Sequence, residues 1–356
     1  MTKSQLETDR IARLRSQLLQ WYELNQRDLP WRRTPDPYSI WVSEIMLQQT
    51  RVAVVIERYN AFLLRFPTLV SLAEAPEQEV LSLWSGLGYY RRARMLHKAA
   101  QFVALHLHGS LPTKAKDLRL LPGIGPYTAA AIASIAHQEH IAVVDGNVER
   151  VLCRLSGWDA GSRTGGGAKL RRKIEKLASA LVDPLRPGDF NQAIMELGAT
   201  VCTPRSPLCL QCPLNADCVT LGEHKTAARP KMTSREVAHA LAVRASAENH
   251  PAVPEVLLEQ RPQTVSVMPG LWELPLLADP QVPDSDLRMT VRHAIMQINY
   301  YVRIRTLRED EVDALTVPGG TRLWVPLPQL GQMALTGLAR KVLSRARLLS
   351  TAPEPI

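Results

Sequence analysis

The chain has 356 residues, 46% of them hydrophobic, with a formal net charge of +9 and five cysteines, a length and composition that suit two domains with cores of their own. No run approaches the roughly 20 apolar residues that cross a bilayer, and the mixed charges of residues 1–14 lack the apolar stretch of a secretory signal. Four cysteines crowd into one short stretch, which argues against a secreted disulfide framework and for a reducing cytoplasm.

Taken in chain order, Leu14, Leu18, Trp21 and Tyr22 keep a 3.6-residue apolar stripe and predict a first helix. Asp36-Pro37 reads as a helix start, aspartate as cap and proline in the first turn, opening a helix over 38–49 that buries Trp41, Ile45 and Met46. Thr50 is expected to cap the next helix, which runs through Val54, Val55, Tyr59, Phe62 and Leu63. Further helices are expected over 77–83, 91–106, 126–136, 147–155, 169–181 and 189–201, with a surface loop at 161–167. Cys153 stands apart and reads as a small core residue. The polar, basic stretch 223–235 suits a linker. Beyond it, 237–244, 256–260, 298–305 and 323–327 read as strands, and 335–348 as a closing helix. In the third strand Ile298, Tyr300, Val302 and Ile304 alternate with Asn299, Tyr301, Arg303 and Arg305. The expected fold class is thus an all-α domain over 1–222, a linker, and a small α+β domain over 236–350.

Four motifs carry chemistry. Leu121-Pro122-Gly123-Ile124-Gly125 lies between two helices, and glycines two apart allow a hairpin whose amides, beside a helix N-terminus, can hold a phosphate. Its flanking amphipathic and alanine-rich helices favour that reading over an ordinary turn. Glu44 sits inside an apolar helix, and Asp145 follows Ile141-Ala142-Val143-Val144. Carboxylates among that much apolar surface are costly to ionise, and a bond to an anomeric carbon is split by such a pair. Taken by itself, Asp145 reads rather as the N-cap of the helix that follows. Cys202, Cys209, Cys212 and Cys218, with gaps of six, two and five, suit either structural zinc or an iron–sulfur cluster.

Glu44 in SEIMLQQT, Gly86-Leu87-Gly88-Tyr89-Tyr90, LPGIGPYTAAAI, Asp145-Gly146-Asn147, Phe190-Asn191-Gln192 and the four cysteines occur in one order. In this the chain resembles the MutY-type adenine DNA glycosylases of the endonuclease III, helix-hairpin-helix superfamily, densely over 8–222 and thinly beyond. The resemblance implies one [4Fe-4S] cluster per chain on the four cysteines. It implies that Glu44 protonates adenine and later handles water, that Asp145 stabilises an oxocarbenium-like sugar, and that Asn147 helps hold that arrangement. Tyr127 stands where bifunctional relatives place a Schiff-base lysine, and a phenol forms no imine. Gln49 and Tyr89 match residues that fill or wedge the stack. Trp31, Arg32, Leu47, Val52 and Gln192 match the wall and polar reader of an adenine pocket, although Trp31, Leu47 and Val52 read equally well as core. Gly123 and Gly125 are the hairpin glycines that would meet DNA phosphate.

The C-terminal part resembles the MutT-like domain of such enzymes through Pro269-Gly270-Leu271-Trp272-Glu273-Leu274-Pro275 and the strand after His293, without a Nudix hydrolase motif. Where many relatives have His-x-Phe-Ser-His, this chain reads His293-Ala294-Ile295-Met296-Gln297, so discrimination of 8-oxoguanine from guanine is in question. The implied function is monofunctional excision of adenine opposite 8-oxoguanine or guanine in double-stranded DNA. It would be carried out by a bacterial cytoplasmic enzyme on the nucleoid, as a monomer without membrane contact. Two other readings remain: a thymine or uracil mismatch glycosylase on the same scaffold, and a non-catalytic iron–sulfur DNA-binding protein.

Overall fold

The computed structural model describes residues 3–159, 167–224, 231–245, 253–312, 315 and 321–349. The expected loop at 161–167 and the middle of the expected linker therefore lie largely outside the described residues. Among the described residues no helix is long and apolar enough to cross a membrane. The chain divides into two compact units, Met1–Ala73 with Lys98–Ala228, and Glu74–His97 with Arg229–Ile356. The segment 74–97, expected within the first domain, thus groups with the C-terminal part.

The helices up to residue 224 are α1 (Lys3–Asn25), α2 (Pro37–Leu47), α3 (Val52–Arg65), α4 (Leu69–Glu74), α5 (Glu77–Leu83), α6 (Arg91–His106), α7 (Ala115–Leu118), α8 (Pro126–His137), α9 (Gly146–Ser156), α10 (Gly167–Leu181) and α11 (Pro187–Thr200). In the first unit, α9 repeats Val148, Val151, Leu152 and Leu155 along one face. They pack on Leu14, Leu18 and Tyr22 of α1 and on Phe190, Ile194 and Leu197 of α11. That 3, 4 spacing is the apolar stripe of a core-facing helix. Cys153 is buried in the same cluster, and burial pushes its thiol up to about 11, as befits an inert core residue. Asp36 caps α2 as expected, its carboxylate accepting from the Ser39 amide at 2.8 Å.

Thr50 does not cap α3. Gln49 turns the chain with φ 57°, and the Thr50 hydroxyl donates back to the Gln48 carbonyl at 3.3 Å. Arg51 is left at the cap position without a side-chain hydrogen bond.

The second unit contains β1 (Thr233–Ala245), β2 (Pro254–Gln260), β3 (Trp272–Glu273), β4 (Leu287–Ile295), β5 (Ile298–Leu307), α12 (Glu309–Val312), β6 (Arg322–Pro326) and α13 (Gly337–Arg345). The strands form one mixed sheet in the order β3-β2-β1-β5-β4, with β6 also paired to β2. Only β1 and β5 run parallel among the registered pairs. Val302 and Ile304 of β5 join Leu241, Val256 and Val291 under Leu338, Val342 and Leu343 of α13. The expected alternation is therefore the core face of this strand. His293 lies near the end of β4, and the chain turns through Met296 (φ 54°) into β5, the strand expected after it. The closing helix starts at Gly337, two residues later than expected. Thr336 caps it through the Ala339 amide at 3.2 Å, and Leu335 instead bridges to Trp272.

Candidate active site

A cavity of about 1130 Å³ opens in the first unit. Its lining includes Trp31, Arg32, Glu44, Leu47, Gln49, Val52, Gly123, Gly125, Tyr127, Asp145, Asn147 and Gln192. Every non-cysteine residue given a catalytic, pocket or DNA-contact role in the sequence, except Tyr89, is in that set. Tyr89 belongs to the other unit, where it is exposed on a turn with φ 48°.

Glu44 is set by α2, a helix buried almost all round, and is itself only 6% exposed. Tyr127, in the first turn of α8, donates its hydroxyl to Glu44 Oε2 at 2.6 Å and lies 3.4 Å from Met195 Sδ. Burial lifts the Glu44 carboxyl to about 7, helped by the nearby negative Asp145 and opposed by the Tyr127 hydrogen bond and by Arg32. Burial also raises the Tyr127 phenol well above its ordinary value, and the Glu44 charge adds to the effect. The pair therefore holds a carboxylic acid that keeps its proton near neutrality.

Asp145 is the N-cap of α9 and also reaches the cavity. One oxygen caps α9 by accepting from the Val148 amide at 2.8 Å, the other accepts from Asn147 Nδ2 at 2.9 Å, and the residue still lines the cavity. Behind it, Arg150 Nη2 donates to Asn147 Oδ1 and to the Gly198 carbonyl, both at 2.8 Å. Arg150 Nε reaches the Cys202 carbonyl at 2.8 Å. A row of hydrogen bonds thus runs from the carboxylate to the cysteine segment. Gly198 is needed here, since a Cβ on it would lie 2.6 Å from Asn147 Cβ. Asn191, which is fully buried, holds the irregular segment leading to Asp145 by accepting from the Val143 amide (3.1 Å) and donating to the Ile141 carbonyl (2.8 Å).

Arg32 was expected at the pocket, but its partner Glu196 and the second cation Arg27 were missed. Glu196, buried in α11, accepts from Arg27 at 2.7 Å and Arg32 at 2.9 Å. Those hydrogen bonds and charges outweigh its desolvation and hold it down at about 2. A glutamate between Met195 and Leu197 carries the same signal that marked Glu44. Trp31 stacks edge-on against Tyr59 at 5.3 Å, so it is core on one side and cavity wall on the other. At the hairpin, Gly123 takes φ 75° and Gly125 opens α8 with no side-chain cap, leaving its first amides without that partner. No atom lies within 4 Å of a Cβ built on Gly125, so the approach is open.

Cys202, Cys209, Cys212 and Cys218 line one cavity walled by Val151, Leu155, Leu197 and Val201. Among the described residues no group of three or more His, Cys, Asp or Glu is placed to hold a single metal ion. Arg154, buried in α9, donates to Cys202 Sγ at 3.4 Å and to the Thr203 carbonyl at 2.7 Å, and its Nε has no hydrogen-bond partner. Burial, with the other three sulfurs, raises the Cys212 thiol to about 11. An all-sulfur donor set around an apolar space, with a guanidinium against it, fits a negatively charged thiolate cluster. Gly157 lets this segment close on α9, because a Cβ there would meet Val219 Cγ1 at 2.6 Å.

Comparison with known proteins agrees with this geometry. Residues 42–182 match the HhH-GPD superfamily of base excision DNA repair proteins, and 202–218 match the iron–sulfur binding domain of endonuclease III. The human adenine DNA glycosylase is 50% identical over 217 residues, which are 58% of this chain and 39% of that one. The adenine DNA glycosylase of Buchnera aphidicola subsp. Schizaphis graminum is 39% identical over 211 residues, covering 58% and 59%. This chain thus spans between about two and three fifths of the length of these relatives. A solved thermostable thymine-DNA glycosylase is 29% identical with a TM-score of 0.54, covering 60% of this chain and 97% of that one. An endonuclease III bound to DNA, at 22% identity and a TM-score of 0.50, has the same fold over 62% of this chain. Over residues 42–182 this protein therefore matches the HhH-GPD superfamily of base excision DNA repair proteins, and over 202–218 the iron–sulfur segment of endonuclease III, and its cofactor is a [4Fe-4S] cluster.

Proposed function

We propose that the chain is a monofunctional adenine DNA glycosylase, acting on adenine opposite 8-oxoguanine or guanine. The observation that carries this is the buried Glu44, hydrogen-bonded by Tyr127 and facing the same cavity as Asp145. An adenine turned out of the duplex, at a cost of a few kcal/mol, enters between Trp31, Leu47 and Val52, with Gln192 and the Arg32 guanidinium as polar readers. Tyr127 occupies Glu44 Oε2, so the acidic proton sits on Oε1 and passes to a ring nitrogen of the base. As the glycosidic bond opens, the Asp145 carboxylate, aimed by Val148 and Asn147, stabilises the positive sugar. Glu44, now ionised, takes a proton from the attacking water. Since position 127 holds a phenol, no imine forms with the sugar and the strand is left uncut.

DNA is held by the Gly123–Gly125 amides, while Gln49 and Tyr89 fill the opened stack. Cys202, Cys209, Cys212 and Cys218 ligate the cluster, which when bound supplies a rigid, charged brace to the segment bearing the exposed Arg205. The mixed sheet with α13 is read as a MutT-like reader of the opposite base. Its β4–β5 turn offers Met296 and Gln297 in place of a serine, so the preference for 8-oxoguanine over guanine is expected to be within about tenfold.

The test is release of free adenine from duplexes carrying 8-oxoguanine, guanine or cytosine opposite, with nicking measured without alkali. No free adenine from any of them ends the proposal. Thymine release from G:T duplexes would favour the activity named for the thymine-DNA glycosylase neighbour instead.

A further inference from the structure

Within the second unit, one backbone carbonyl joins the two stretches of chain that compose it. Leu335 lies fully buried just before α13, and its carbonyl accepts from Tyr90 Oη at 2.8 Å and from Ser85 Oγ at 3.2 Å. Both lone pairs of that oxygen are thereby engaged. Arg340, on α13, donates its Nε to Ser85 Oγ at 2.9 Å, which turns the serine proton toward Leu335. A further clamp joins Arg94 Nη2 to the Pro269 carbonyl at 2.6 Å. Ser85 and Tyr90 bracket Gly86-Leu87-Gly88-Tyr89.

The bracketed turn is conformationally demanding. Gly86, Gly88 and Tyr89 take φ of 100°, 70° and 48°, and left-handed backbone at a tyrosine persists only where its surroundings impose it. Inside the turn, Gly88 O accepts from Trp84 Nε1 (3.2 Å) and Arg92 Nη2 (3.1 Å), and Leu87 O accepts from Arg92 Nη2 (3.1 Å). The same guanidinium lies 5.5 Å over the Tyr89 ring. The result is an aromatic ring 53% exposed on a backbone fixed from behind.

We propose that Ser85, Tyr90 and Arg340 are positioning residues for opening the duplex. Through the Leu335 carbonyl, the sheet portion of this unit sets the Gly86–Tyr90 turn and so presents the Tyr89 ring to the base stack. The C-terminal portion thereby serves extrusion of adenine whatever base stands opposite. This rests on the reading of Tyr89 as a stacking wedge in a glycosylase.

A wedge is needed only while the adenine is still paired and stacked, so two substrates separate positioning from general damage. Full-length Tyr90→Phe and Arg340→Met are assayed under single turnover on adenine opposite guanine, and on adenine already unpaired in a single-base bulge. Thermal scans confirm that each variant is folded. The paired substrate is expected to slow by about tenfold, the size of one buried hydrogen bond, and the bulge by less than about twofold. Equal losses on both substrates, or no loss on the paired one, overturn the proposal. Tyr89→Ala tells that failure apart from failure of the underlying reading. If it slows the paired substrate while Tyr90→Phe does not, the Leu335 seat alone is wrong. If it has no effect, the wedge reading is wrong and the proposal falls with it.

Discussion

Tyr127 Oη donates to Glu44 Oε2 at 2.6 Å inside a cavity that Asp145 also lines. On the proposed mechanism, release of adenine needs Glu44 protonated, and its carboxyl sits at about 7. The rate is therefore expected to fall as pH rises through that value. The Tyr127 hydrogen bond favours the ionised form, so Tyr127→Phe raises the Glu44 pKa further and moves the alkaline limb to higher pH. A single-turnover pH profile in which the limb stays put would remove Glu44 as the acid.

Glu44→Gln keeps the size of the side chain and removes the transferable proton. Adenine release is expected to drop by at least about a thousandfold, with duplex binding retained. The same variant should be the more stable protein above neutrality. The folded carboxyl holds its proton to about pH 7, while the unfolded one loses it near pH 4.5, so wild-type stability falls as pH rises between those values. Glutamine is spared that loss, and denaturant titrations at pH 8 should favour it by on the order of 2–3 kcal/mol. Equal stabilities at pH 5 and pH 8 would contradict the buried acid.

Gly198→Ala places a methyl against Asn147, whose Cβ lies 2.6 Å from the new atom. Alanine is the better helix former by about 1 kcal/mol, yet Asn147 must move and Asp145 loses one of its two donors. We expect kcat to fall by about tenfold or more with substrate affinity little changed. A loss in KM alone would place the effect outside the carboxylate.

The cysteine cavity gives a compositional prediction. Purified protein should show broad visible absorbance with iron and sulfide near about four each per chain. Cys212→Ser should lower cluster content and, through Cys202, Arg150 and Asn147, excision as well. A colourless protein containing one zinc would overturn the assignment.

Most of the site was legible because its chemistry runs against its surroundings. Glu44 and Asp145 stand out as carboxylates in apolar stretches, Gly123 and Gly125 as a glycine pair between helices, and the cysteines by their gaps. The longer helices of the first unit followed from stripes and caps, with ends off by one or two residues, while the short α4 (Leu69–Glu74) was not expected. Thr50 misled because a left-handed Gln49 turned it toward the helix it follows. Arg27, Arg150 and Gly198 were not singled out, since their roles depend on partners 40 or more residues away and no local pattern records such a pairing, whereas Glu196 carried a local signal that was passed over. The grouping of 74–97 with the sheet was hidden for the same reason: Tyr90 and Leu335 are 245 positions apart.

Residues 74–97 complete the body begun at 229, so the C-terminal unit is built from two separated stretches of chain. Severing the chain with an engineered protease site between 224 and 231 should yield two pieces that still co-elute from a sizing column. An expressed fragment ending near 225 should carry Ser85 and Tyr90 bereft of their acceptor. Evolution, or an engineer, could not exchange the C-terminal portion between relatives as a free module without also carrying over the stretch around Gly86.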